Sequence, residues 1–579
     1  MLTFTKRLCA SVVRGRFIRP LAIAGAFVAL AAGTANAQLA AFPGAEGFGK
    51  NASGGRGGQV VEVTNLNDSG AGSFRDAFNQ YPGQPITIVF RVGGIIDLLT
   101  PLRPTRSNVT VAGQTAPGDG ICMKRSTFKI FGNNVIVRYM RSRPGDISGS
   151  NLPPVYGMDM ENCRNFIVDH CSFSWSIEEA ATFYDNKYST VQWCIISESL
   201  NSSYNSKGDH GYAGVWGGQY ASYHHNLVAH HHSRAIRFNG ARAHDTTAVV
   251  DYRNNVIYNW GNTNAAYGNE IEINGGSGQL NLVNNYYKGG PATPASRASV
   301  IFDITEAYDA ANPNKPVATV YANGNYVNNY PAVTLDNWNN GIRLHNYPAT
   351  AMSQFRQLAV TPNLAPIVTE TAQNAYLSVL AGAGAIAPVR DAVDARIVSE
   401  TRSGTATGSS PAGSTTYGLN QGIIDTQTDV GGWPAYASGT APTDTDHDGM
   451  PDAWELSQGL NPNNAADRNT VSTSGYTMLE NYLNGLATTT VLASRNGTAQ
   501  LPLQAYPNPS QNGLTVTHPV ASSSASITLF AVDGRQVVTV AVAPGSTATR
   551  LALSALAAGQ YVVRFTSTHE TLTTKFTKE

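Results

Sequence analysis

Tyr223-His224-His225-Asn226-Leu227-Val228, then Tyr252-Arg253-Asn254-Asn255-Val256-Ile257-Tyr258, then Leu282-Val283-Asn284-Asn285-Tyr286-Tyr287, is the recurring stretch that decides the fold. Each copy sets a polar pair in an otherwise strand-forming run. Asn226 and Asn255 are 29 residues apart, and Asn255 and Asn285 are 30. A period of that size marks a stacked repeat. Asparagines at one position of successive layers can bond to one another along the stack. Working outward, Ile86–Phe90, Val109–Ala112, Val135–Tyr139, Phe166–Asp169, Val191–Ile196 and Val317–Val327 read as further strands. Each is short, β-branched or aromatic, and bounded by Gly, Asn, Asp or Pro. The expected class is all-β, a right-handed parallel β-helix. A β-sandwich would show hairpins with Asn-Gly or Asp-Gly turns, and few occur here.

The chain has 579 residues, too many for one ordinary domain. Lys plus Arg and Asp plus Glu number 39 each, so the formal net charge is zero. That gives no basic face for nucleic acid, and none is expected as a partner. Charged residues make up only 13% and glycines number 56, a balance that suits a turn-rich extracellular β protein. Residues 1–37 read as a secretory signal: basic Lys6, Arg7, Arg14, Arg16 and Arg19, apolar Leu21–Ala32, and Ala35-Asn36-Ala37 as cleavage site. The apolar run is too short to span a bilayer, so no membrane span is expected after cleavage. Cys122, Cys163, Cys171 and Cys194 are too few for a disulfide scaffold and read as buried small side chains.

Along the chain, Ser73 is placed to cap a short helix that covers the open end of the stack. The solenoid region is assigned to 38–402, closing with helices over Thr369–Leu380 and Val389–Thr401 on its flank. Residues 403–441 read as a linker. Within 442–490, Asp444, Asp446, Asp448, Asp452 and Glu455 occupy positions 1, 3, 5, 9 and 12 of an EF-hand-type loop, with Gly449 at position 6. Calcium wants six to eight oxygens and a sharp turn, so this loop is expected to hold Ca2+. Residues 500–579 form a last, small β-sandwich with a hairpin turn at Asp533-Gly534.

Tyr223–Asn239 holds five of the twelve histidines and two arginines, Arg234 and Arg237. Such basic groups facing upstream carboxylates suit an acidic substrate held through a cation. This stretch resembles the motif around the catalytic arginine of family 1 pectate lyases. Three further stretches carry the resemblance: Asn165-Phe-Ile-Val-Asp169-His170, Ser206-Lys207-Gly208 placed 27 residues before Arg234, and Ser174-Trp175-Ser176-Ile177-Glu178-Glu179. It covers about Ala41 to Trp433. It implies a secreted or cell-surface pectate or pectin lyase that cleaves galacturonan by calcium-assisted β-elimination. By match, Arg234 is the base and Lys207 holds substrate, with Asp159, Glu178, Glu179 and Asp185 around calcium. Arginine is effectively always protonated, so the alternative is that Arg234 steadies the enolate while His231, His232 or Lys207 accepts the proton. Arg237, His225 and Asn239 are further candidates for holding the chain. Two positions depart from the family pattern: Ile236 stands for its proline and Asn239 for its second arginine. Asp169 reads as a buried, hydrogen-bonded turn residue. The alternatives are a β-helix polysaccharide hydrolase, which needs suitably spaced carboxylates, and a non-catalytic carbohydrate-binding surface protein. The Tyr506-Pro507-Asn508-Pro509 opening and Gly559-Gln560-Tyr561 resemble the C-terminal sorting domain of type IX secretion, which implies that machinery as a partner. A monomer is expected.

Overall fold

The computed structural model describes residues 38–147, 155–261, 264–307, 309, 315–345, 347–361, 364–408, 417–418, 420–496, 503–519, 521, 525–531, 535–567 and 571–579. The expected signal at 1–37 and the Asp533-Gly534 turn lie outside the described residues.

Among the described residues, three parallel sheets of ten, nine and eight strands run along a parallel β-helix. One coil shows the plan: Gln219–His224 in sheet A, Leu227–His231 in sheet B, Arg237–Phe238 in sheet C. The next coil repeats it with Thr247–Arg253, Val256–Trp260 and Tyr267–Gly268. Register is held layer upon layer, with Tyr223 over Tyr252 and Tyr252 over Leu282.

The recurring polar pairs correct the sequence reading in one respect. They do not lie within a strand; each is the bend between a sheet A strand and a sheet B strand. His225, Asn254 and Asn284 adopt φ of 55°, 54° and 52°, which turns the chain in a single residue. Asparagine and histidine tolerate that left-handed region better than most residues. The following asparagine points inward. Asn226 donates from both its backbone N and its Nδ2 to Asn255 Oδ1, each at 3.0 Å. Asn255 does the same to Asn285, Asn285 to Asn325, and Asn325 to Asn337. In earlier coils cysteine takes the inward place: Cys194 N donates to Asn226 Oδ1 at 2.9 Å, and Cys171 N approaches Cys194 Sγ at 3.4 Å. Cys122, Cys163, Cys171 and Cys194 are all unbridged and buried. On the outer side of the bends, Tyr139, His170, Trp193 and His225 stack with centroids 4.4–5.8 Å apart.

Large side chains fill the interior, among them Phe166, Phe173, Trp216, Tyr223, Tyr252 and Phe302. Ser73 caps the helix Phe74–Ala77, accepting the Asp76 N–H at 3.2 Å, and Phe74 packs at a tilt against Phe90 and Phe128. Helices Ala372–Gly382 and Ala392–Ser403 lay Val379, Leu380, Ile397 and Val398 on Ile195, Leu227, Val256 and Tyr258 of sheet B. Residues 442–487 do not stand apart. Met450, Leu479 and Leu483 pack on Val89 and Ala112 of the early sheet A strands. The carboxy-terminal unit is two antiparallel sheets of three and four strands around Leu514, Val516, Ile527, Leu529, Val563 and Phe565. No helix among the described residues is long and apolar enough to cross a membrane.

The ladder makes a direct prediction. Truncating Asn255 leaves the buried N–H and Nδ2 of Asn226 without their acceptor, and unmet buried donors cost about 1–3 kcal/mol each. Asn255→Ala should therefore lower unfolding free energy by about 3 kcal/mol in denaturant titrations. A loss under about 1 kcal/mol would mean that the ladder is not what holds the layers in register.

Candidate active site

Sheet C strands are short and leave outward-facing positions aligned along the helix axis. Lys129 pairs with Asp159, Asp159 with Thr182, Val215 with Arg237, and Arg237 with Tyr267. Of these, Lys129, Asp159, Thr182, Val215 and Arg237 floor a cleft of about 750 Å³, also lined by Glu161, Glu178, Glu179, Lys207, Arg234, Asn239 and Arg242. Of the residues that the sequence marked for this site, Arg234, Lys207, Arg237, Asn239, Asp159, Glu178 and Glu179 are therefore brought together.

Arg234 sits on the bend between sheets B and C, with φ 46°. That bend lifts the side chain out of the core and into the cleft. Its Nη1 donates to Glu179 Oε1 at 2.5 Å and its Nε to the Tyr267 hydroxyl at 3.1 Å. The guanidinium carbon lies 4.5 Å over the Tyr212 ring. Burial works to lower this guanidinium, but Tyr267 and Glu179 outweigh it and hold it above its ordinary value. Lys207, whose side chain is 60% exposed, pairs with Glu178. Glu178 also receives Asn205 Nδ2 at 2.8 Å and lies 3.2 Å from His210 Nε2. Burial pushes the Glu178 carboxyl up, but His210 and Lys207 outweigh it and bring it to about 2. Glu179 is raised, chiefly by burial. Lys129 Nζ reaches Asp159 and Glu161, both at 2.6 Å. Burial, partly offset by Lys129, still pushes Asp159 up to about 6, and its Oδ1 is buried without a hydrogen bond.

Four expected site residues lie elsewhere. His225 is buried in the outer stack, its ring 4.4 Å from Trp193, and burial drops its imidazole to about 3. His231 is fully buried, with Nδ1 2.7 Å from Ser199 Oγ and Nε2 3.1 Å from the Ile196 carbonyl. Neither can reach a substrate in the cleft. His232 does not line the cleft: its Nδ1 lies 2.9 Å from the Tyr417 hydroxyl and its ring 6.4 Å from that of Tyr212. Asp185 faces a separate depression beside Arg164 and Lys187, where it pairs with His244 at 3.3 Å. The histidine run alternates between interior and flank, and Asp185 follows a bend that turns it around the corner, so sequence proximity misled. Asp169 is buried and bonded to Arg138, His170 and Gln192, as a structural turn residue would be.

Sequence reasoning missed His210, Lys129, Tyr212 and Tyr267. His210 follows Lys207 closely enough to have been considered; the other three carry no local signal and are assembled by register alone. Glu178, Glu179 and His210 bring one ligand atom each within 4.8 Å of one another. With the orphaned Asp159 oxygen beside them, these residues fit a cation.

A second acidic cluster lies in the EF-hand-type loop. Asp444, Asp446 and Asp448 converge within 4.8 Å, and Asp448, Glu455 and Asp467 do likewise. Gly449, at φ 90°, makes the turn. Asp452 is not in the cluster: both of its oxygens are taken by Thr445, each at 2.7 Å. Burial first, then repulsion among these carboxyls, raises Asp448 and Glu455 to about 7.

Comparison with known proteins places the chain. Residues 504–579 match the secretion system C-terminal sorting domain. A probable pectate lyase C of Aspergillus flavus is 35% identical over 456 residues, covering 77% of this chain and 94% of the relative. One from Aspergillus fumigatus is 34% identical over 460 residues, covering 78% and 95%. The solved structure of jun a 1, the major cedar-pollen allergen, overlaps 59% of this chain and 92% of its own at 15% identity and TM-score 0.38. The coverage and identity of the curated relatives settle the family: this chain belongs with the pectate lyase C proteins.

Proposed function

We propose that the protein is a secreted or cell-surface pectate lyase that cleaves galacturonan by calcium-assisted β-elimination in the sheet C cleft. The observation that carries this reading is the meeting of Arg234 and Lys207 with Asp159, Glu178 and Glu179 in one groove of a pectate lyase relative. Elimination removes the proton from C5, forms the 4,5 double bond and expels the C4 oxygen, which is then protonated. The C5 proton is weakly acidic, so positive charge must meet the enolate as it forms. Calcium, when bound, supplies part of that charge against the uronate carboxylate.

Asp159, Glu178 and Glu179 are the residues to hold the ion, with His210 beside them. Arg234 is fixed on three sides, by Glu179, Tyr267 and the Tyr212 ring, so its cation is aimed without reorganisation. In this arrangement Arg234 stays protonated and steadies the enolate. Lys207 is the exposed partner and, once its ammonium has given a proton to solvent, the remaining candidate to accept the C5 proton, because His231 and His232 do not line the cleft. Arg237, held by Glu270 at 3.2 Å, grips the uronan chain.

The EF-hand-type loop holds a second calcium with a structural role. Export runs through type IX secretion, directed by the carboxy-terminal sandwich.

Four outcomes follow. Arg234→Lys keeps charge and loses the planar fork, so the elimination rate should fall about a hundredfold to a thousandfold with little change in substrate binding. Arg237→Lys should mainly weaken binding. Rapid mixing with polygalacturonate separates the two effects; an Arg234→Lys enzyme near wild-type speed would move the assignment to Lys207. Glu179→Gln should raise the calcium concentration for half-maximal rate by more than about tenfold, since even outer-shell partners matter on that scale. An unchanged calcium curve would remove Glu179 from the ion site. Deleting Tyr506–Glu579 should retain the protein in the periplasm with its catalysis intact, and unaltered export of the truncated chain would refute the sorting role.

A further inference from the structure

We propose that Asp467, and not the motif residue Asp452, completes the ion site of the EF-hand-type loop, and that the ion ties the returning segment to the first strands of the β-helix. The proposal rests on the calcium reading of that loop. Its first support is geometric. Asp467 lies beyond the loop and beyond helix Asp452–Gln458, yet an oxygen of it comes within 4.8 Å of ligand atoms of Asp448 and Glu455. Asp452 heads that same helix and spends both oxygens on the Thr445 backbone N–H and hydroxyl.

The second support is independent of the clustering. Glu455 is fully buried, and neither of its oxygens receives a hydrogen bond. Asp448 is equally buried, and its Oδ2 has no donor, nor does Asp467 Oδ1. A carboxylate taken out of water without donors is too costly to persist unless a cation faces it. Among the described residues, the cation paired with the cluster is Arg91, 3.7 Å from Asp444, and it also serves Glu62 and the Pro442 carbonyl. One guanidinium cannot balance five carboxylates. An all-oxygen set of this charge suits calcium.

The position of Asp467 gives the ion its mechanical consequence. Its neighbour Arg468 donates to Gln59 Oε1 at 3.0 Å and to the Gly58 carbonyl at 3.4 Å, at the start of strand Gln59–Val63. On the other side of the loop, His447 lies 2.8 Å from Glu62 of that strand, and Glu480 pairs with Arg56 at 2.6 Å. Gly449 approaches Val60 so closely that an added Cβ would lie 3.2 Å from it. The ion therefore joins two anchored arms, the 444–455 loop and the Asp467–Arg468 turn, across the outer face of the first coil.

The test uses the full chain stripped of calcium, titrated with calcium chloride by calorimetry and melted with and without the ion. Asp467→Asn should lose at least about tenfold in affinity at one site and most of the calcium-induced rise in melting temperature, while Asp452→Asn keeps both. Calcium should protect the Arg468–Asn469 bond of the wild type from trypsin and fail to do so in Asp467→Asn. If Asp467→Asn binds and is stabilised like wild type while Asp446→Asn is not, the calcium loop stands and the role of Asp467 falls. If the wild type shows no calcium-induced rise, the calcium reading of the loop fails. If Asp467→Asn melts well below the calcium-stripped wild type, Asp467 is a structural residue and the proposal is overturned.

Discussion

The two-residue bend between sheets A and B is the constraint on which the molecule depends. One residue takes a left-handed conformation and the next turns a small polar side chain into the core. An inward amide in an apolar interior is tolerable only when its donors and acceptors are all met. The Asn226-to-Asn337 ladder meets them from layer to layer, so each coil is satisfied only if its neighbour is in register. Because side chains alternate between faces, a one-residue slip would send every core residue outward. The ladder thus fixes which residues of the later coils, Arg237 and Tyr267 among them, face out on sheet C, while the earlier coils that carry Lys129 and Asp159 are aligned by their own strand register.

The cleft carries charges that the core could not. Three carboxylates, Asp159, Glu178 and Glu179, are buried beside three cations, Lys129, Lys207 and Arg234. Removing one partner of a buried pair such as Lys129 and Asp159 costs about 3–5 kcal/mol, because the other is left uncompensated. The pairs are therefore kept, and Arg234 is held still at the cost of a cation that cannot readily lose its proton. This favours electrostatic stabilisation of the enolate by Arg234 over proton removal by it. The EF-hand-type cluster is built the opposite way, with carboxylates in excess and donors missing, as an ion-holding site requires.

Much of this was legible in the sequence. The 29- and 30-residue spacing of Asn226, Asn255 and Asn285 is a consequence of coil length, so the solenoid could be read directly. The bends could not, because a left-handed His225 or Asn254 looks like any polar residue in a strand; Tyr252–Tyr258 therefore read as one strand-forming run where it spans two strands. Arg234, Lys207, Glu178 and Glu179 were recognisable by resemblance to a family motif. His231 was not recognisable as a core residue, because a run of three histidines hides the alternation that buries one of them. Lys129, Tyr267 and Asp467 were invisible: each joins its site from a different coil or loop, through register and packing that no local pattern encodes.

The central claim is that this cleft performs elimination and not hydrolysis or mere binding. The most direct measurement is the product of the wild-type full chain on polygalacturonate with calcium present. Elimination predicts new reducing ends matched one for one by 4,5-unsaturated uronate, seen by its ultraviolet absorbance. Reducing ends without that absorbance, or an unaltered polymer, would contradict the account.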